Sequence, residues 1–277
     1  MKRILIILLF SVGLISFTPQ SIRYSLTYDF KVDYFTLDIF GNRYVVHESE
    51  LVKSIDLGKP AVTFSNLSLG EISSVDASDA MNILVFYQDF AKVLFLDNTL
   101  SIKKSVIDLG DLGFPNASLA CLSYNNGFWI FDPVNQELVR INQFLEVAER
   151  SGNLNQIINT EIEPDQLFES GNNVYLKDKN EGVFIFDRYA GYQKRMPFTD
   201  VDDVQIIGSN VMAFLKNDTV FSYDMLTLNT DTLSLRAHGI KQIFIKKNNV
   251  ILFLGENGNL YFEDIEVLRR PVMHWQY

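Results

Sequence analysis

Cysteine is nearly missing from this chain. Cys121 is the only one in 277 residues, so no internal disulfide can form and a disulfide-stapled scaffold is excluded. It sits in the apolar run Leu119-Ala120-Cys121-Leu122, which reads as a buried structural thiol rather than a nucleophile. Histidine is scarce too. His47, His238 and His274 form no HxxxH or HxH pair, so a zinc site has no local signature, and each reads as solvated or core-edge. There is no GxSxG elbow and no GxxxxGK[ST] loop, the local marks of a hydrolase nucleophile and a phosphate cradle. Basic residues are outnumbered, 24 against 34 acidic, for a net charge of −10. That balance argues against a nucleic-acid backbone or an anionic membrane surface as the main partner. No Pro/Gly/Ser linker and no composition break divides the chain.

The one long apolar run is N-terminal. Lys2 and Arg3 precede a stretch from Ile4 to about Phe17, short of the about 20 residues a membrane span needs. Residues 1–20 therefore read as a signal peptide, with Ser16, Thr18 and Gln20 as candidate cleavage positions. An uncleaved anchor is the other reading. No cysteine stands directly after the run, so a lipid anchor has no attachment point there. Residues 21–277 read as a single exported domain.

What the chain has in quantity is Phe and Tyr, 22 and 12, against 6 Met and 2 Trp, which suits sheets better than helices. These residues come in paired bursts. An Asn opens, a first burst follows, then a polar hinge, a second burst and a closing Asp or Asn. The pattern runs over 42–56, 82–97, 126–142, 173–187, 210–224 and 249–264. Asn suits the tight turn before a strand, and Asp or Asn suits the turn after one, through local side-chain hydrogen bonds.

A strand-like run precedes each opening Asn: Tyr34–Ile39, Ile72–Val75, Leu119–Leu122, Gln166–Phe168, Val204–Ile207 and Gln242–Ile245. More polar fourth runs follow, most clearly Ser101–Val106 and Leu226–Thr230, as an exposed outer edge requires. Phe144–Arg150 holds helix formers but spans under two turns, so an outer strand serves as well. Four strands in about 40 residues, six times over, predict an all-β, six-bladed β-propeller of four-stranded antiparallel blades. A β-sandwich is the alternative. Two segments compete to close the ring as the outer strand of the last blade: Ser21–Asp33 and Val267–Val272.

With an export signal, no lipid-anchor cysteine and six such units, the chain resembles the exported six-bladed β-propellers of Bacteroidota-type bacteria. Phe40-Gly41-Asn42-Arg43-Tyr44-Val45-Val46 and Gly127-Phe128-Trp129-Ile130-Phe131-Asp132 carry the likeness. It implies the fold and a periplasmic compartment, and brings no catalytic residues with it. The Gly-His and Trp-Asp pairs of the WD40 class are missing, and the Glu, Asn and Asp ligand set of calcium-dependent lactonase propellers is not picked out unambiguously.

Candidate site residues follow from the frame. The hinges carry Glu48, Asp89, Asp132, Asp178, Asp218 and Glu256. Equivalent turns share a face, so these form either an acidic ring for a basic partner or cation, or simple turn chemistry. Two acidic runs, Glu161-Ile162-Glu163-Pro164-Asp165 and Asp200-Val201-Asp202-Asp203, lead into blades. They read as solvated loop acids, with Ca²⁺ binding or acid-base work as the sharper alternative. The tail carries Arg269, Arg270, Trp275 and Tyr277, residue types of binding hot spots. It either packs on the propeller flank or docks a partner. The sequence thus points to a non-catalytic interaction subunit of the cell envelope without metal or cofactor. Its expected partner is an envelope protein, an outer-membrane complex being one candidate. The alternative is a propeller enzyme or glycan-binding protein, such as a Ca²⁺-dependent lactonase or glycan hydrolase.

Overall fold

The structure is a computed structural model. It describes residues 23–264 apart from 27, 55–61, 236 and 247–249. The first strand, β1 (Arg23–Leu26), belongs to the last blade. Blade 1 is β2 (Tyr34–Leu37), β3 (Arg43–His47), β4 (Glu50–Ser54) and β5 (Val62–Ser65); blade 2 is β6 (Ser74–Asp76), β7 (Ile83–Tyr87), β8 (Lys92–Leu96) and β9 (Ile107–Asp108). Blade 3 is β10 (Leu119–Ser123), β11 (Gly127–Asp132), β12 (Glu137–Ile141) and β13 (Val147–Arg150); blade 4 is β14 (Pro164–Ser170), β15 (Asn173–Asp178), β16 (Gly182–Asp187) and β17 (Tyr192–Met196). Blade 5 is β18 (Asp203–Ile207), β19 (Val211–Lys216), β20 (Thr219–Asp224) and β21 (Thr230–Ser234). Blade 6 is β22 (Ile240–Ile245), β23 (Val250–Gly255), β24 (Leu260–Asp264) and, as its outer strand, β1. The fold is the six-bladed β-propeller that the sequence predicts.

Each paired burst forms the middle two strands of its blade. Their runs are continuous rather than alternating because neighbouring blades cover both faces. All five residues of β7 and all six of β11 are buried. Outer strands β5 and β13 are largely exposed. Six apolar clusters form the core among the described residues, one between each pair of consecutive blades. Blades 6 and 1 share Leu252, Leu254 and Leu260 with Phe35, Leu37 and Val45. Ring closure comes from the N-terminal candidate: Arg23–Leu26 pairs antiparallel with Leu260–Glu263. The rival run Val267–Val272 lies outside the described residues.

Two fourth-strand expectations are corrected. In blade 2 the run Ser101–Val106 contributes one bridge, Ile102 to Leu96, and the outer strand falls on Ile107–Asp108. In blade 5 the outer strand is Thr230–Ser234, and Leu226–Asn229 forms the turn before it. The closing residue explains both shifts. Asp97 Oδ1 accepts the backbone N–H of Thr99 and Ser101, and Asp224 Oδ1 accepts those of Leu226 and Thr227. The turn is longer than the burst pattern suggests. Phe144–Arg150 resolves as turn and strand β13. Helix is confined, among the described residues, to α1 (Leu154–Ile158) and two three-residue 3-10 turns.

The antiparallel meander sorts the connections. First-to-second and third-to-fourth strand turns lie on one face, here called the rim face. Hairpin hinges and blade-to-blade links lie on the opposite, hinge face. Each hinge is pinned to the link leaving its own blade. Ile72, Leu109, Leu154, Asp200 and Val32 donate backbone N–H to Glu48, Ala91, Gln136, Lys179 and Gly258 carbonyls. In blade 5 the acceptor is the side chain of Asp218, bound by the Ile240 N–H at 2.8 Å.

Candidate functional site: the central channel and its two faces

The six inner strands β2, β6, β10, β14, β18 and β22 surround a channel of about 790 Å³. They do not share a backbone ladder, so their facing N–H and C=O groups need other partners. Polar side chains provide bridges at every seam. The Gln166 amide donates to the Val204 carbonyl at 3.0 Å and accepts its N–H at 3.1 Å, joining blades 4 and 5. Gln205 does the same to Ile245, at 3.1 and 2.7 Å, joining blades 5 and 6. Gln242 does it to Phe35, at 2.8 and 3.1 Å, closing blade 6 onto blade 1. Each amide imitates a residue of a neighbouring strand.

The other seams use different groups. Tyr34 Oη donates to the Val75 carbonyl at 3.3 Å between blades 1 and 2. Asp76 Oδ2 accepts the Leu122 N–H at 2.9 Å between blades 2 and 3. Glu169 Oε2 accepts from Ser123 Oγ at 2.8 Å and Trp129 Nε1 at 2.6 Å between blades 3 and 4. These clamps escape sequence reading because each joins residues about one repeat apart, or 207 apart at the closure. A signal was present: a polar Gln recurs in the inner runs of blades 4, 5 and 6.

Asp203 corrects the solvated-acid reading of its run. It is buried, with Oδ1 accepting from Gln166 Nε2 at 2.9 Å and Oδ2 from the Ile243 N–H at 2.8 Å. Burial pushes its carboxyl up to about 7, against the opposing pull of the Ile243 N–H and the nearby Lys177 ammonium. Asp200, Asp202, Glu161, Glu163 and Asp165 are exposed. Lys177 is also buried, and its ammonium meets Asp165 at 2.8 Å and the Val201 carbonyl at 3.0 Å. Burial also raises the Tyr34 hydroxyl, with Asp203 and Asp76 adding to it. Cys121 is buried as expected, and burial raises its thiol well above the usual range. It stays protonated and inert.

The Asp203 shift has a measurable consequence. In the unfolded chain this carboxyl titrates near 4; in the fold it keeps its proton to about 7. Between those values the folded state binds the extra proton, so stability falls as pH rises through that window and levels off above it. Asp203→Asn cannot titrate. The stability difference between the wild type and this variant should therefore drift against the wild type by on the order of 2–4 kcal/mol from pH 5 to pH 8. Urea midpoints across that range measure it, and a pH-independent difference would contradict the assignment.

The sequence-predicted acidic ring is brought to one face, but its members do different things. Asp132 and Asp178 are buried. Asp132 Oδ1 accepts the Val134 N–H at 3.0 Å, and Asp178 accepts N–H groups of Asn180, Glu181 and Glu163. Asp218 holds the Ile240 N–H, which with further hydrogen bonds keeps its carboxyl below the usual range. Glu48, Asp89 and Glu256 are exposed. Arg269, Arg270, Trp275 and Tyr277 lie outside the described residues. Among the described residues no three His, Cys, Asp or Glu side chains gather as metal ligands, and no helix is long and apolar enough to cross a membrane.

No family model and no curated protein sequence matches the chain. Solved structures do. Virginiamycin B lyase from Staphylococcus aureus aligns with a TM-score of 0.61 at 11% identity, over 86% of this chain and 82% of that one. A streptogramin B lyase aligns at 0.61 and 8% identity, over 88% and 97%. BBS1N, solved in complex with ARL6DN, aligns at 0.58 and 14% identity, over 84% and 77%. At these identities the likeness shows the propeller fold alone.

Proposed function

We propose that this chain is a non-catalytic protein-interaction propeller, exported through its N-terminal signal and working in the bacterial cell envelope. The observation that carries this reading is the commitment of the channel's polar side chains. Gln166, Gln205, Gln242, Asp76, Glu169 and Asp203 each bridge two blades. A catalytic wall would instead turn such groups together toward one reacting atom. Here they make a rigid ring, and a rigid ring presents loops at fixed spacing. That BBS1N is solved in complex with ARL6DN is a precedent for this fold holding a protein partner.

The hinge face is the surface for that partner. Glu48, Asp89 and Glu256 are exposed on it, as is the link acid Glu163; Asp165, Asp200 and Asp202 are exposed there too, each paired with a lysine, Lys177, Lys216 and Lys179. A basic partner is steered to such a face, and its binding weakens with salt. Affinity purification of the full-length chain from its native envelope, with mass spectrometry, should recover one stoichiometric protein partner. Glu48→Gln, Asp89→Asn and Glu256→Gln together should reduce that recovery and flatten its salt dependence. They should leave stability within about 0.5 kcal/mol, as exposed substitutions do. A protein recovered alone and carrying Ca²⁺ would overturn the reading in favour of a propeller enzyme.

A further inference from the structure

Three equivalent rim-face turns, around 78–82, 122–126 and 169–171, converge where the channel opens between blades 2, 3 and 4. They enclose a polar pocket of about 380 Å³ that shares Ser78 and Glu169 with the channel wall. The cations around it are committed to protein groups. The Lys103 ammonium rests on the Met81 carbonyl at 2.7 Å and on Asn82 Oδ1 at 3.1 Å. Arg140 donates to Ser123 Oγ at 2.9 Å and to the Tyr124 carbonyl at 2.7 Å. The Arg140 and Arg188 guanidiniums lie 3.6 and 3.8 Å from the centre of the Tyr124 ring.

The groups left over define what fits. Asn82 is only 6% exposed. Lys103 takes its Oδ1, so the atom left for the pocket is Nδ2, and no acceptor among the described residues meets it. A buried donor without an acceptor is costly. Glu169 uses one oxygen on the seam: Ser123 and Trp129 both donate to Oε2, and Oε1 remains. In Asp79, Oδ1 holds the Met81 N–H at 2.9 Å, and Oδ2 remains. The pocket therefore offers one fixed donor and two fixed acceptors. The two carboxylates refuse an anion, since the nearby cations are turned to other partners. Among the described residues no three acids, histidines or cysteines gather for a metal. An ammonium or guanidinium would suit the carboxylates, but it brings only donors and would set a positive charge against the Asn82 N–H. A hydroxyl both accepts and donates. Neighbouring hydroxyls on one rigid ring satisfy the amide and the carboxylates together.

We propose that this pocket binds a neutral saccharide unit, a function separate from the hinge-face partner. Asn82 Nδ2 donates to one ring hydroxyl, and Glu169 Oε1 accepts from its neighbour. The full-length chain is applied to an array of neutral mono- and oligosaccharides, with sulfated glycans as an anionic arm and oligoarginine as a cationic arm. Neutral sugars should bind. The tightest is then titrated by calorimetry against Asn82→Asp and Glu169→Gln. The first replaces the donor by an acceptor and keeps Lys103 paired. The second keeps an oxygen for Ser123 and Trp129 and turns an N–H toward the pocket. Each should weaken binding at least about tenfold, with the urea midpoint close to that of the wild type. Asp79→Asn guards against misfolding, because Asn142 makes the same turn with its amide oxygen; it should give a smaller loss. Trp129 donates to the same carboxylate as the sugar, so its emission should shift on binding in a Trp275→Phe chain. Binding confined to sulfated glycans or to oligoarginine would overturn the proposal. So would no binding on any arm, or neutral-sugar binding that all three variants leave intact. Glu48→Gln, Asp89→Asn and Glu256→Gln together should leave sugar binding unchanged, which keeps a failure here distinct from loss of the hinge-face partner.

Discussion

Trp129→Ala should cost about 3–5 kcal/mol, the range for removing a large aromatic from a packed core. Trp129 is fully buried in β11 and sits in the cluster shared by blades 3 and 4, with Leu154, Leu167, Leu176 and Phe184. Its indole N–H also donates to Glu169 across that seam at 2.6 Å. The alanine variant therefore leaves a cavity and removes one of the two donors that hold Glu169. For a domain of this size the melting temperature should fall by roughly 6–20 °C. Trp129→Phe separates the two effects. It keeps most of the volume and loses only the N–H, which should cost about 1–3 kcal/mol for the carboxylate left short of a donor. Thermal and urea unfolding of both variants measure this. A Trp129→Ala cost below about 1 kcal/mol would mean that the seam relaxes and that Glu169 does not depend on the indole.

The same residue shows what could be read in advance. Trp129 belongs to the burst Phe128-Trp129-Ile130-Phe131, and such bursts were legible because middle strands are covered on both faces. Position in the blade was therefore readable wherever burial is two-sided. Outer strands were less so. They answer to one partner and to solvent, and their start depends on how many residues the preceding Asp or Asn turn takes up. That is why Thr230–Ser234, and not Leu226–Thr230, is the outer strand of blade 5. The hinge acids show a further limit. Their common face followed from the repeat, but Asp132 and Asp178 turn inward to backbone N–H groups while Asp89 stays exposed. Asp132 is turned in by N–H groups of its own hinge, and Asp178 by its own hinge and by Glu163 of the incoming link. Asp203 hides for a related reason. It is the third acid of a loop-like run, and only closure against Ile243 of the next blade buries it.

Closure of the ring sets the other large effect. A chain beginning at residue 27 should be at least about 3 kcal/mol less stable than one beginning at residue 21, a sizeable part of the about 5–15 kcal/mol that holds a domain folded. Leu26 is buried with Val32, Phe35 and Leu260, and its full burial alone is worth about 1.5–3 kcal/mol. The ladder from Arg23 to Leu26 is lost with it, which bares the edge of β24. Each ladder hydrogen bond adds about 0.5–1.5 kcal/mol net. The pairing spans most of the chain, so it forms late and repays a long loop closure. Loss of it should therefore appear mainly as faster unfolding rather than slower folding. Leu26→Ala is the smaller companion, at about 2–4 kcal/mol with the ladder kept. Urea midpoints give the equilibrium cost, stopped-flow unfolding gives the rate, and hydrogen exchange at Leu260–Glu263 reports the bared edge directly. Were the shortened chain to unfold at the same midpoint, with β24 amides still protected, Arg23–Leu26 would not be the strand that closes the ring. The outer place in blade 6 would then belong to the competing run Val267–Val272.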